Sequence, residues 1–167
     1  MLRPVLAVTA LLAMPAAPAL GQQTPMPEIR GDVRFEARPD AGDARSWARE
    51  GRTTVINLLT EPEIEALGFD YAENVMQNGM VYANVPVGGM TGTEAADAVA
   101  RIMADTDGPV VINCASAIRA SHVYAAAQIR AGHVSRDQLY TIDPGREWNQ
   151  ALLSRLLGET PGPESTQ

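Results

Sequence analysis

Val110 to His122 reads VVINCASAIRASH, and the order of its parts decides the fold. Val110-Val111-Ile112 is a β-branched apolar run of the length a buried strand needs. From Ile118 to Ala131 the alanine-rich sequence reads as helix, and Gly132 is placed to close it. A strand feeding a helix through a short turn is the building unit of an α/β domain. The turn between them carries Cys114, the single cysteine of the chain, with Arg119 five positions later.

The same alternation recurs on the N-terminal side. Ala44 to Glu50 suits a short helix capped by Gly51, and Thr53 to Leu58 is a second β-branched strand candidate. Thr60-x-x-Glu63 is a capping box with Pro62 in the first turn, so a helix begins there. Val81 to Val87 is a third strand candidate, ended by Gly88-Gly89. A second capping box, Thr91-x-x-Glu94, is expected to open a helix whose apolar face is Ala95, Val99, Ile102 and Met103. After Gly132, Ser135-x-x-Gln138 caps another short helix, and Ala151 to Leu157 forms the last one. The expected fold is a single α/β domain with a mainly parallel central sheet flanked by helices.

The ends of the chain read differently. Met1-Leu2-Arg3 is a short positive segment, Pro4 to Leu20 is apolar, and Ala19 and Gly21 are small residues placed for cleavage before Gln22. This is the pattern of a secretory signal peptide. A membrane anchor is the rival, but Pro15 and Pro18 interrupt a run shorter than the ~20 residues a span needs. Residues 1–21 are therefore expected to be a signal peptide, 22–31 a flexible leader, 32–157 the folded domain and 158–167 a disordered polar tail. The expected location is periplasmic or secreted, with no stable membrane insertion after cleavage. A net charge of −7 argues against nucleic acid as a partner.

One cysteine forbids an internal disulfide. It is either a buried small hydrophobe or a thiol kept for its reactivity. Its setting at the carboxyl end of a strand favours the second, because that is where open α/β sheets place ligands. Small side chains at Ala115, Ser116 and Ala117 leave the backbone amides from Ala115 to Ile118 free to curl around an anion, with a helix N-terminus behind them. Arg119 adds a planar fork suited to tetrahedral oxyanions, and the same field would favour the Cys114 thiolate.

Three ordered segments carry a resemblance. "NCASAIR" resembles the "HC-x-S-G-x-R" loop of the bacterial beta-lactamase hydrolase-like, phosphatase-like family, a branch of the dual-specificity and tyrosine phosphatase superfamily. "GRTTVINLLTEPE" is similar to its "G-x-x-T-V-I-N-L-R-x-x-x-E" strand, and "NGMVYANVPV" to its "G-(M/I)-x-Y-x-x-(I/V)-P-V" strand. The resemblance spans about Phe35 to Gln138. It implies a cysteine-phosphatase fold, with Cys114 as phosphocysteine-forming nucleophile, Arg119 as phosphate clamp and the amides of Ala115, Ser116, Ala117, Ile118 and Arg119 as the phosphate cradle. It implies a phosphorylated small molecule or protein as substrate, and no metal or organic cofactor. Rhodanese sulfurtransferases share a very similar short loop, so sulfane-sulfur transfer is an alternative, as is an anion- or protein-binding module without turnover.

The chain departs from that pattern at four places. Asn113 stands where the loop has His, Ala117 where it has Gly, and Ala120 where classical phosphatases have Ser or Thr, with Ser121 one place later. Gly88 to Thr91 holds no Asp where dual-specificity phosphatases often carry a general acid. Elsewhere, His122 either faces the pocket or, the preferred reading, serves as a cap or surface residue. Asp143-Pro144-Gly145 reads first as a turn, and Trp47 and Trp148 as packing anchors. Two histidines and one cysteine give no support to a His/Cys metal site.

Overall fold

A computed structural model describes residues 32–159. The expected signal peptide and leader lie outside the described residues, as does the tail beyond Glu159. Four strands form one sheet: β1 (Val33–Glu36), β2 (Thr54–Asn57), β3 (Val81–Asn84) and β4 (Val110–Asn113), in the order β1-β4-β2-β3. All three pairings are parallel. Parallel sheets need both faces covered, and here β2 and β4 are buried along their full length while β1 and β3 form the edges.

Helices α4 (Thr93–Ala104), α5 (Ile118–Arg130) and α6 (Gln150–Leu157) cover one face, where Ile56, Ile112, Val99, Val123 and Leu153 share the larger core cluster. Helices α1 (Asp43–Arg49) and α3 (Tyr71–Gln77) cover the other, with Trp47, Tyr71 and Val75 packed on Val55 and Val111. Helix α2 (Glu61–Glu65) is a short turn after β2. Every residue of α5 from Ala120 to Gln128 is buried, so α5 is a central helix rather than an amphipathic surface one. Its alanines let α4 and α6 close on either side.

The strands end slightly earlier than their apolar runs. β3 stops at Asn84, although Val85 N–H still donates to the Asn57 carbonyl at 2.9 Å and Val87 N–H to Leu58 at 3.0 Å. Pro86 between them has no N–H to give. Both Gly51 and Gly132 take the positive φ expected of helix-closing residues. The capping boxes at Thr60–Glu63 and Ser135–Gln138 are formed, the latter opening a 3₁₀ helix over Arg136–Thr141.

The box expected at Thr91–Glu94 is not formed. Gly92 is the cap residue, its N–H donating to Glu94 Oε1 at 2.8 Å, while the Thr91 hydroxyl turns back to accept from Gly88 N–H at 2.9 Å. Thr91 closes the preceding turn instead of starting α4. At the other end, Gly158 closes α6 in the left-handed conformation and Glu159 pairs with Arg136.

Candidate active site

Parallel register brings four polar residues into one row at the carboxyl edge of the sheet: Glu36 beside Asn113, Asn113 beside Asn57, and Asn57 beside Asn84. Asn57 and Asn113 are fully buried, and a buried amide must find partners. Asn113 Nδ2 donates to Asn57 Oδ1 at 3.1 Å, and Asn113 Oδ1 accepts from the Tyr71 hydroxyl at 2.9 Å. Asn57 Nδ2 donates to the Tyr82 hydroxyl at 2.9 Å, and its Oδ1 also takes Leu59 N–H at 3.1 Å. Burial pushes both tyrosines above the ordinary phenol range, so they stay neutral. Asn113, which stands where the resembling motif has His, thus holds the foot of the cysteine loop through Tyr71.

Cys114 follows directly, its N–H donating to the Glu36 carbonyl at 3.0 Å. Its side chain points to the opposite face from Asn113 and has no exposed surface, lying in the larger core cluster. The loop above it is open: Ala115, Ser116 and Ile118 are exposed, and Ser116 is bridged to Ala37. Ala117 has φ 63°, and it is the non-glycine residue with positive φ among the described residues. The position that the motif gives to glycine therefore keeps the glycine conformation with a methyl group on it. Ser121 does not replace the missing hydroxyl next to Arg119, since its Oγ donates to the Ile118 carbonyl at 3.0 Å.

Arg119 is anchored by a residue that motif reading named only as a helix cap. Arg119 Nη1 donates to Glu63 Oε2 at 3.0 Å and Nη2 to Glu63 Oε1 at 2.6 Å, and Nη1 also donates to the Val87 carbonyl at 2.6 Å. Glu63 Oε2 meanwhile accepts from Thr60 N–H at 2.8 Å. The Arg119 hydrogen bonds hold the Glu63 carboxyl down at about 2, against the opposing pull of burial and with help from Thr60. Burial works against the Arg119 charge, but Glu63 and then Cys114 outweigh it, so Arg119 lies above its ordinary range. A guanidinium has five N–H groups. Three are committed here, and the two left, Nε–H and the second on Nη2, share the other edge of the plane. An oxyanion on that edge would not displace Glu63, and the Cys114 thiol is also within hydrogen-bonding reach of the guanidinium.

An open cleft of about 600 Å³ adjoins the loop, lined by Glu63, Arg119 and Arg155 together with Val87, Gly88 and Leu152. Asp143 and Arg146, an ion pair, line a second hollow with Ile118 and Glu147. Asp143 is thus near the loop but already engaged.

His122 is not a surface residue. It is fully buried, with Nδ1 2.8 Å from the Ile118 carbonyl and Nε2 accepting from Asn149 N–H at 2.8 Å. Those partners require the neutral tautomer with the proton on Nδ1. Burial first, and Arg146 as well, push its pKa below the ordinary value. Trp148 packs on the ring at 4.9 Å between centroids. The consequence is a pin from the loop to the start of α6. Sequence reading missed it because a polar side chain three residues past Arg119 suggested solvent, whereas α5 is enclosed on every side.

No family model matches the chain. Beta-lactamase hydrolase-like proteins from two strains of Xylella fastidiosa are each 30% identical over 115 residues, covering 67% of this chain. The chain spans only 27% of the length of these curated relatives. Among solved structures, a DUF442 protein from Shewanella putrefaciens CN-32 superposes with a TM-score of 0.58 at 22% identity, covering 77% of this chain and 87% of that one. Tk-PTP in its active form gives a TM-score of 0.60 at 19% identity, covering 78% and 94%. The resemblance to the beta-lactamase hydrolase-like, phosphatase-like family stands, and the fold is that of the tyrosine-phosphatase-like proteins.

Proposed function

We propose that this chain is an exported cysteine-dependent phosphatase acting on phosphomonoesters. The observation that carries the reading is Ala117. Holding a non-glycine residue in the left-handed region costs roughly 1–2 kcal/mol, and such strain persists where the surroundings over-determine it, often at functional sites. Here it lies between the thiol and the arginine, in the turn whose amides, Ala115 to Arg119, would hold the phosphoryl oxygens. Arg119 lends further support, because Glu63 fixes the guanidinium plane without using its second fork.

In this mechanism the Cys114 thiolate attacks phosphorus, and the S–P bond forms as the bond to the leaving oxygen breaks. Arg119 and the loop amides hold the three remaining phosphoryl oxygens and stabilise their charge. Water then attacks phosphorus, the S–P bond breaks, and inorganic phosphate leaves with the thiolate regenerated. Because Cys114 has no exposed surface, whatever covers Sγ must give way for phosphorus to reach it.

Intact-mass analysis of the native protein, exposed separately to an aryl phosphate and to thiosulfate, tests the proposal. A phosphate adduct on Cys114, absent in Cys114→Ser, is expected. The short spacing between Cys114 and Arg119 favours one other reading, sulfur transfer: Sγ would attack the sulfane sulfur of thiosulfate, release sulfite and become a persulfide. A persulfide without a phosphate adduct would replace the first reading by the second. Neither adduct, with iodoacetamide reaching Cys114 only after unfolding, would leave a core thiol. Export belongs to the same proposal and rests on the Met1–Gly21 pattern. N-terminal sequencing of the cell-derived protein should find it beginning at or near Gln22, and retained Met1 would overturn it.

A further inference from the structure

Glu63, Arg119 and Arg155 are the charged residues lining the cleft beside the loop. Glu63 and Arg119 neutralise each other through their two hydrogen bonds. The net positive charge of the cleft therefore sits on Arg155. This residue stands on α6, and its Nε donates to the Thr91 carbonyl at 2.9 Å. That bond sets the direction of the guanidinium and uses one of its five donors. Among the described residues no acceptor takes its two Nη groups. The same cleft is lined by the apolar side chains of Val87, Ala151 and Leu152, with Thr60 and Asn149 as its uncharged polar members.

We propose that Arg155 is a second anion-binding position, so that the preferred substrate is a phosphomonoester whose leaving group carries a further anion, carboxylate or phosphate. The proposal rests on the phosphatase reading of the loop. With the phosphoryl group on the second fork of Arg119, the leaving group is directed into the cleft, its carbon skeleton against those apolar side chains. A neutral leaving group would leave the Arg155 fork to water. An anionic one would form charge-assisted hydrogen bonds there, in a site partly screened from solvent. The same residue would favour substrates with anionic ends over extended uncharged ones, which is a selection the loop cannot make by itself.

The test compares phenyl phosphate with 3-carboxyphenyl phosphate, whose leaving groups differ little in basicity, on the full-length mature protein and on Arg155→Gln. One charge-assisted contact corresponds to a kcat/KM ratio of about tenfold in favour of the carboxylated ester. The preference should appear in KM, fall to about one in Arg155→Gln, and partly survive in Arg155→Lys. A wild-type ratio near one, or a ratio that persists in Arg155→Gln, overturns the proposal while leaving the phosphatase reading intact. If neither ester turns over, calorimetric binding of methylphosphonate and phosphonoacetate reads the same ratio as Kd values. Binding of neither would bring down the phosphatase reading and this inference together.

Discussion

Glu63 and Arg119 lie 56 residues apart in sequence and meet through two parallel hydrogen bonds, one to each carboxylate oxygen, while Glu63 Oε2 also accepts from Thr60 N–H at the start of α2. One carboxylate thereby joins the segment after β2 to the cysteine loop. Replacing it with Ala should leave a half-buried guanidinium with the Val87 carbonyl and Cys114 as its remaining partners, and should cost about 1–2 kcal/mol once solvent screening is allowed for. Loss of orientation at Arg119 should lower kcat/KM by at least about tenfold. Chemical denaturation and steady-state kinetics of Glu63→Ala check both. Because the folded carboxyl sits at about 2 against an ordinary 4.5, its stabilisation is complete above pH 4.5 and is lost as pH falls towards 2. The stability gap between wild type and Glu63→Gln should therefore close over that window. A gap unchanged at pH 2 would show that the carboxylate charge is not what matters.

Ala117 offers a test of strain. Substitution by Gly removes a left-handed penalty of roughly 1–2 kcal/mol and adds about 0.4–1 kcal/mol of unfolded-state entropy. The net expectation for Ala117→Gly is a gain of about 0.5–1 kcal/mol, the difference of those two terms. The urea midpoint should rise with an unchanged m-value. A lower midpoint would mean that the methyl group packs usefully and that φ is not under strain.

His122 makes stability depend on pH in the opposite sense from a histidine whose pKa is raised by an acidic partner. Its folded form is neutral, and its pKa is lowered by burial. Below the unfolded value near 6.5 the unfolded chain binds a proton that the folded chain refuses, so stability should decline as pH falls from about 6.5. The decline is bounded at about 1.4 kcal/mol per pH unit for one group. It continues until the lowered folded pKa is passed. His122→Gln should be less stable at pH 7.5 and should lack this decline. A pH profile identical in both proteins would remove His122 as its source.

Most of the sheet was legible because its central strands are uniform. Val55-Ile56 and Val110-Val111-Ile112 are buried on both faces and read as unbroken apolar runs. β1 escaped notice for the opposite reason: Val33-Arg34-Phe35-Glu36 alternates apolar with charged residues, as befits a half-exposed edge. The missed α3 left a signal in Asp70-x-x-Glu73, since the Asp70 side chain accepts from Glu73 N–H at 2.8 Å. Of the site, the turn could be read locally, and the resemblance marked Ala117 as a position that usually holds glycine. The anchor of Arg119 could not, because a capping box explains Glu63 by neighbours alone and the partner arrives only through tertiary packing. Burial of Cys114 was equally out of reach, because it follows from the tertiary packing of the larger core cluster that the residue joins.

The acid available to a leaving group decides which esters such a site can cleave. Proton donation to a departing alkoxide is worth ~10²–10⁴-fold, and the Gly88 to Thr91 turn that borders the cleft has no carboxyl group. Glu63 lines that cleft but is ionised far below neutrality by Arg119, so it has no proton to give at pH 7. Asp143, in the hollow next to Ile118, is paired with Arg146. Turnover should therefore be slow and should fall steeply as the leaving group becomes more basic: activated aryl phosphates cleaved, alkyl phosphates nearly untouched. The measurement is kcat/KM across substituted phenyl phosphates spanning several pKa units. A shallow dependence whose basic limb vanishes in Asp143→Asn would show that Asp143 leaves Arg146 to act as the acid. The same loss in Glu147→Gln instead would assign the proton to that exposed neighbour, and in either case the hollow beside Ile118, rather than the glycine turn, would be the side from which the leaving group is protonated.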